Sequence, residues 1–195
     1  MPILGILASS IAKVTDTGAY FPLQVITVGS AGASSITFSN IPSTYTHLQV
    51  RCLIQQVRST YGISDGWLQF NGDTNTNYSW HELYGDGSTA SAPANGVNAT
   101  YMLLSDGMWG SNTGGTYGVS IIDILDYQNS NKYKTIRTLT GVDINGTIAG
   151  YGGRVGIMSG SWRSTSAVTT MTITGQQGNF TQYSSFALYG IKAAS

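Results

Sequence analysis

Charge is what this sequence has least of. Nine basic and nine acidic side chains in 195 residues give a formal net charge of zero. Ordinary globular domains carry about 25% charged residues. No basic run is present, which argues against nucleic acid as a partner. Cysteine is nearly absent too. Cys52 stands alone, so no intrachain disulfide framework can form, and assembly in a reducing compartment is favoured. Cys52 falls in an alternating run with Leu48, Val50 and Ile54, the pattern of a small core residue on one strand face. Histidine is limited to His47 and His81, and Glu82 is the single glutamate. No helix-length membrane span is expected. The apolar start over residues 1–12 is shorter than the roughly 20 residues that cross a bilayer as a helix. Its first basic residue, Lys13, follows the apolar run, whereas a secretory signal carries its charge first.

What fills the space left by charge is Ser, Thr, Asn, 25 glycines and 12 tyrosines, with 41% apolar residues. That apolar content excludes a disordered chain. The surface it predicts is polar without being ionic, poor at long-range steering and suited to close packing against protein or sugar. Short β-like runs with turn residues between them occur at 20–28, 35–38, 47–57, 67–70, 78–84, 100–104, 119–125, 134–140, 154–158, 168–174 and 185–191. An Asn-Gly pair within 143–147 marks a hairpin. The run at 119–125 is apolar on both faces and reads as a central strand. No helical period competes with these runs. The fold expected is all-β: a single β-sandwich, jelly-roll-like. Residues 1–19 form an extended apolar amino-terminal arm and residues 20–195 the sandwich.

Catalytic chemistry finds little to stand on. His81 and Glu82 are adjacent and therefore point to opposite faces of a strand. Asp123 and Asp126 are three apart, which separates them in the same way. Asp65, Asp73, Asp86, Asp106 and Asp143 sit beside glycine or in turns, where aspartate bonds its own backbone. The oxygen-rich stretch Asn71-Gly-Asp-Thr-Asn-Thr-Asn77 lacks EF-hand spacing and reads as a hydrogen-bonded turn. Serines and aspartates abound, so composition permits a Ser-His-Asp triad, but the chain is read as non-enzymatic, with no cofactor and no metal site.

The aromatic residues are harder to set aside. Trp109 lies in the Gly-rich stretch 105–118, read here as a loop, where no strand claims it. Trp109, Tyr117, Trp80 and Tyr84 are the candidates for a loop contact or a glycan site, since flat rings stack on sugars and anchor interfaces. Core filling is the competing role for Tyr117, Trp80 and Tyr84. In the arm, Ile3, Leu4, Ile6, Leu7 and Ile11 are the candidate partner-binding residues. An isolated arm cannot bury them, and another subunit can, at about 25 cal/mol per Å² of apolar area.

Six segments in order carry a resemblance: MPILGILASSI at 1–11, GASSITFSNIPSTYTHLQVR at 32–51, FNGDTNTNYS at 70–79, SIIDILDYQNSNKYKT at 120–135, WRSTSAVTTMTITGQQGNF at 162–180 and SFALYGIK at 185–192. Together they resemble tailed-bacteriophage virion proteins that pair an ILGI-type apolar amino terminus with a β-sandwich ending in FALYGIK. The resemblance spans nearly the whole chain and brings no catalytic motif. It implies a virion structural protein, a capsid decoration (cement) protein binding across capsid-subunit junctions. The alternative it implies is a tail or tail-fibre receptor-binding module for host surface glycan. Under either, the expected partners are the major capsid protein or other virion subunits and further copies of the chain, as a homotrimer. The location implied is the virion, assembled in the host cytoplasm.

Overall fold

The computed structural model describes residues 19–58, 62–93, 96–110, 115–148 and 151–192. Apart from Ala19, the expected arm lies outside these residues. The chain is all-β, and its two antiparallel sheets form the layers of a β-sandwich. The first sheet contains β1 (Tyr20–Thr27), β3 (His47–Gln56), β5 (Tyr78–Gly85), β9 (Gly118–Leu125), β10 (Lys134–Ile148), β11 (Tyr151–Trp162) and β13 (Ser185–Ile191). Their spatial order is β1-β13-β3-β9-β10-β11-β5. Two short strands, β6 (Ala90–Ser91) and β7 (Gly96–Ala99), pair with β5. The second sheet orders β2 (Ser35–Phe38), β12 (Met171–Gly175), β4 (Gly62–Phe70) and β8 (Met102–Gly110) as β2-β12-β4-β8.

Period-2 alternation decides which side chains meet between the layers. In β9, Ser120, Ile122 and Ile124 are buried, and the odd-numbered positions face out. The pairings Leu48–Ile124 and Ile136–Ile124 carry the inner row across three strands. Opposite it lie Leu68 and Phe70 of β4, Met102 and Leu104 of β8, and Ile173 of β12, all fully buried. Cys52 joins this core, and burial pushes its thiol pKa up.

One strand stitches the layers together. β3 pairs with β13 and β9 through most of its length, then meets β8 in parallel at Gln55–Trp109 and Gln56–Gly110. Both glutamines are buried. Buried amides are costly unless bonded, and these are. Gln56 Nε2 donates to the Asp65 carbonyl at 2.9 Å, and its Oε1 accepts from Ser64 Oγ and Gln177 N–H, each at 3.1 Å. Gln55 Nε2 donates to the Thr116 carbonyl at 2.8 Å, and its Oε1 accepts from Thr181 Oγ1 at 3.0 Å. Lys134 is also fully buried. Its ammonium donates to the carbonyls of Asn129, Lys132 and Thr165. Burial draws its pKa down.

Several boundaries differ from the sequence-based expectation. β4 begins at Gly62 and β8 runs on to Gly110. β10 continues through the expected hairpin at 143–147 to Ile148, with the pairing to β11 shifting register after Asp143. The expected strand at 168–174 contracts to β12, because residues 163–170 are held by loop contacts instead. Asn71 Oδ1 accepts from the backbone N–H of Thr169 and Thr170, and Asn71 Nδ2 donates to the Ala167 carbonyl.

The Asn71–Asn77 turn bears out its reading as a hydrogen-bonded loop. Asn71 and Gly72 both take left-handed backbone angles (φ 53° and 66°), and Asp73 N–H closes the turn onto the Phe70 carbonyl at 2.8 Å. Asp73 Oδ1 accepts from Asn75. Its Oδ2 accepts from Asn77 Nδ2 at 2.8 Å and from Trp162 Nε1 at 2.7 Å. Burial opposes ionisation of this carboxyl, but the bonds from Asn77, Trp162 and Asn75 outweigh it and hold the pKa at about 2. Because the folded value lies below the unfolded one, the contribution is present above about pH 4. It is lost as pH falls towards 2. Urea unfolding from pH 7 to pH 2 should show this loss in the wild type and a flatter profile in Asp73→Asn. Asp73→Ala should cost about 2–3 kcal/mol at pH 7, since it strands the buried Trp162 N–H.

Candidate interaction surface

The outward face of the first sheet is where the fold leaves apolar side chains uncovered. Register from β13 to β5 aligns Ala187, Arg51, Ile121, Leu139, Ile157 and Leu83 in one row. The next row is Ser185, Leu53, Val119, Gly141, Val155 and Gly85, from the same pairings. Six of these aliphatics are between 43% and 60% exposed: Leu53, Val119, Ile157, Leu83, Leu139 and Val155. From β3 to β5 the rows cross four strand spacings, about 19 Å. A groove of about 530 Å³ runs along them, with Leu83, Ile121, Leu139 and Ile157 in its floor. Isolated surface aliphatics are ordinary; a contiguous run marks an interaction site. The run at 119–125, apolar on both faces and read as a central strand, is central: β9 lies fourth of the seven strands ordered from β1 to β5. One face is covered by the second sheet. Among the described residues nothing covers the other.

A polar row borders the groove: Tyr189, Gln49, Asp123, Arg137, Ser159 and His81. Gln49, Asp123 and Arg137 of this row satisfy one another, with Arg51 of the adjacent row joining them. Arg51 Nε donates to Gln49 Oε1 at 2.9 Å, Gln49 Nε2 to Asp123 Oδ1 at 2.8 Å, and Arg137 Nη2 to Asp123 Oδ2 at 2.9 Å. Such exposed pairs add little to stability. They leave the border neutral, with both signs present, so attraction to this face rests on apolar contact.

Among the aromatic candidates whose side chains are described, Trp80, Tyr84 and Tyr117 have separate partners. Trp109 is not in a loop: its backbone lies in β8, opposite Gln55 and Ile63. The glycines around it serve a strand rather than an exposed turn. Trp80 faces inward and stacks on Tyr101 at 5.6 Å, and Tyr101 stacks on Trp67 at 4.4 Å. A methyl group at Gly96 would lie 2.2 Å from the Trp80 ring, so only glycine fits there. Tyr84 carries the Arg154 guanidinium 3.7 Å above its ring centroid. Tyr117 donates its hydroxyl to the Gln182 carbonyl at 2.7 Å. Tyr117 and Arg154 do share a cleft of about 590 Å³ with Asp86 and Asp143. The arm residues Ile3, Leu4, Ile6, Leu7 and Ile11 lie outside the described residues.

Among the described residues no three His, Cys, Asp or Glu side chains gather as a metal site. Asp123 sits in the polar row with Arg137, whereas Asp126 pairs with Lys132 and places its N–H on His47 Nδ1 at 3.0 Å. The Gly-x-Ser-x-Gly nucleophile-elbow pattern was taken to be absent from the sequence, and that is corrected here: Gly62-Ile-Ser-Asp-Gly66 spells it. It lies within β4, not at a strand-to-helix turn. Ser64 is buried, with its hydroxyl on Gln56. Burial raises the Asp65 carboxyl pKa, opposed by Arg154 and Arg58.

The stack makes Trp80 structural. Trp80→Ala should cost about 3 kcal/mol in urea unfolding, and Gly96→Ala about 1–3 kcal/mol with a change in tryptophan fluorescence. A Trp80→Ala protein of unchanged stability would instead show an accessory surface ring. No family model, curated protein or solved structure matches the chain.

Proposed function

We propose that the chain is a non-enzymatic structural protein of a tailed-bacteriophage virion, a capsid decoration protein that binds across capsid-subunit junctions. The observation that carries this reading is the open aliphatic face of the first sheet. Six aliphatics exposed in register call for a covering surface, and in an assembling subunit that cover comes from a neighbouring subunit or from an apolar arm of a copy of the chain. The ordered segments that resemble virion proteins support the same reading. So do the strand orders β1-β13-β3-β9 and β2-β12-β4-β8, which we read as a jelly-roll winding. In that reading β5–β7 and β10–β11 are insertions that widen one sheet. The proposed partners are the major capsid protein and further copies of the chain in a homotrimer. Closed symmetry lets the apolar arm of one copy pack on another.

A tail or fibre receptor-binding role is the second reading. It is favoured by the cleft in which Asp86, Asp143, Arg154 and Tyr117 bring hydrogen-bonding groups and a ring together, a set suited to sugar hydroxyls.

Copy number separates the two. Quantitative mass spectrometry of purified particles should give hundreds of copies for a decoration protein and tens for a fibre. Retention on the particle should change little between low salt and about 1 M salt, because screening acts on charges and only 9% of the residues carry one. Release by salt alone would overturn the apolar mode of attachment.

A further inference from the structure

We propose that the open face of the first sheet is the seat of residues 3–11 of the chain's own amino-terminal segment. This deepens the role of the arm but does not need the virion assignment. Three observations meet. The first is chemical match. The floor of the groove is aliphatic, and residues 3–11 carry Ile3, Leu4, Ile6, Leu7 and Ile11 with no charged side chain before Lys13.

The second is the point of departure. Tyr20 pairs with Ile191, which stands beside His47 in the outermost row of the sheet. The Arg51 guanidinium lies 5.6 Å from the Tyr20 ring centroid. Arg51 itself belongs to the apolar row, so the chain enters β1 on the side where the groove lies.

The third is reach. Leu139 stands four strands from Tyr20 and four residues along, which is about 19 Å by 13 Å, or roughly 23 Å in all. The nine residues from Ile11 to Tyr20 extend to about 30 Å. Ile11 can therefore stand over Leu139, and the earlier residues continue over Ile157 and Leu83. The polar stretch Lys13-Val-Thr-Asp-Thr-Gly18 is the tether that crosses the bordering row.

Cysteine pairs test the seat on the purified full chain. Ile6→Cys or Ile11→Cys is combined with Leu139→Cys or Ile157→Cys, and disulfide formation is followed by non-reducing electrophoresis and mass spectrometry. Cys52 is buried and does not compete. The control partner is Thr172→Cys, on the outer face of the second sheet. Pairs with Leu139→Cys or Ile157→Cys should close at least about tenfold faster than pairs with the control, from the higher effective concentration. A bond within one chain or between two chains supports the seat, and the size of the product tells which copy supplies the arm. Equal rates at all positions would overturn it. So would Leu139→Cys pairing with itself faster than with the arm, which would make the occupant the same face of a second copy. A second measurement does not depend on cysteine variants. Removing residues 1–12 should raise hydrophobic-dye binding severalfold, and adding Leu139→Asp should reverse the rise. Unchanged dye binding after the deletion would count against the seat. Failure here leaves the copy-number test of the virion reading untouched.

Discussion

The surface properties of this protein depend on one constraint: an unbroken register from β13 to β5. Six strands pair without a bulge through the middle of the first sheet. Side chains alternate with a period of two, so a slip of one residue in any pair would turn that strand's apolar set over. Because no slip occurs, Ile122, Ile124 and Ile136 all point into the core. The same alignment forces Ile121, Leu139, Ile157 and Leu83 to line up outside. The inner order and the outer row are one geometric fact seen from two sides.

The layers beneath depend on polar groups that a core usually avoids. Gln55 and Gln56 stand where β3 passes from one sheet to the other. Each amide is satisfied by backbone or hydroxyl groups of β4 and of the loops beside it. An apolar residue there would bury as well but would not specify where the 175–181 segment docks. Asp73 does similar work at the other end. It joins the β4–β5 turn to the indole of Trp162, while Asn71 anchors the irregular stretch before β12. The chain is poor in charge overall, yet charged and amide groups occupy the positions that fix loop geometry.

Much of the strand pattern was legible in the sequence, because alternation and Gly, Asn and Asp turns are local signals. The Asn71-Gly72 turn and the alternation of Leu48, Val50, Cys52 and Ile54 are examples. What the sequence did not reveal is non-local. Trp109 looked like a loop residue because its glycines resemble turn residues; only its pairing with Ile63 and Gln55 makes it part of a strand. The open face was not legible for a related reason. Val119–Leu125 is apolar on both sides, and sequence cannot say how many layers surround a strand. The lysine at 134 gave no sign of burial, since its partners are backbone carbonyls, which every residue supplies. The GISDG pattern had the spelling of a catalytic elbow without the turn that gives it meaning.

The burial of Lys134 has a consequence for how the chain meets proteases. Enzymes that cut after lysine or arginine have nine sites in the whole sequence. At Lys134 the ammonium is closed against three carbonyls and the backbone is the first residue of a paired strand. A cleaving enzyme needs an extended, unpaired segment with the basic side chain free to enter its pocket, and this site offers neither without local unfolding. Arg137 lies in the same strand, its backbone tied into the sheet on both sides. The scarcity of charge that makes the surface neutral therefore also removes the chain's digestible points, and several of those that remain sit where the sheet is hardest to open.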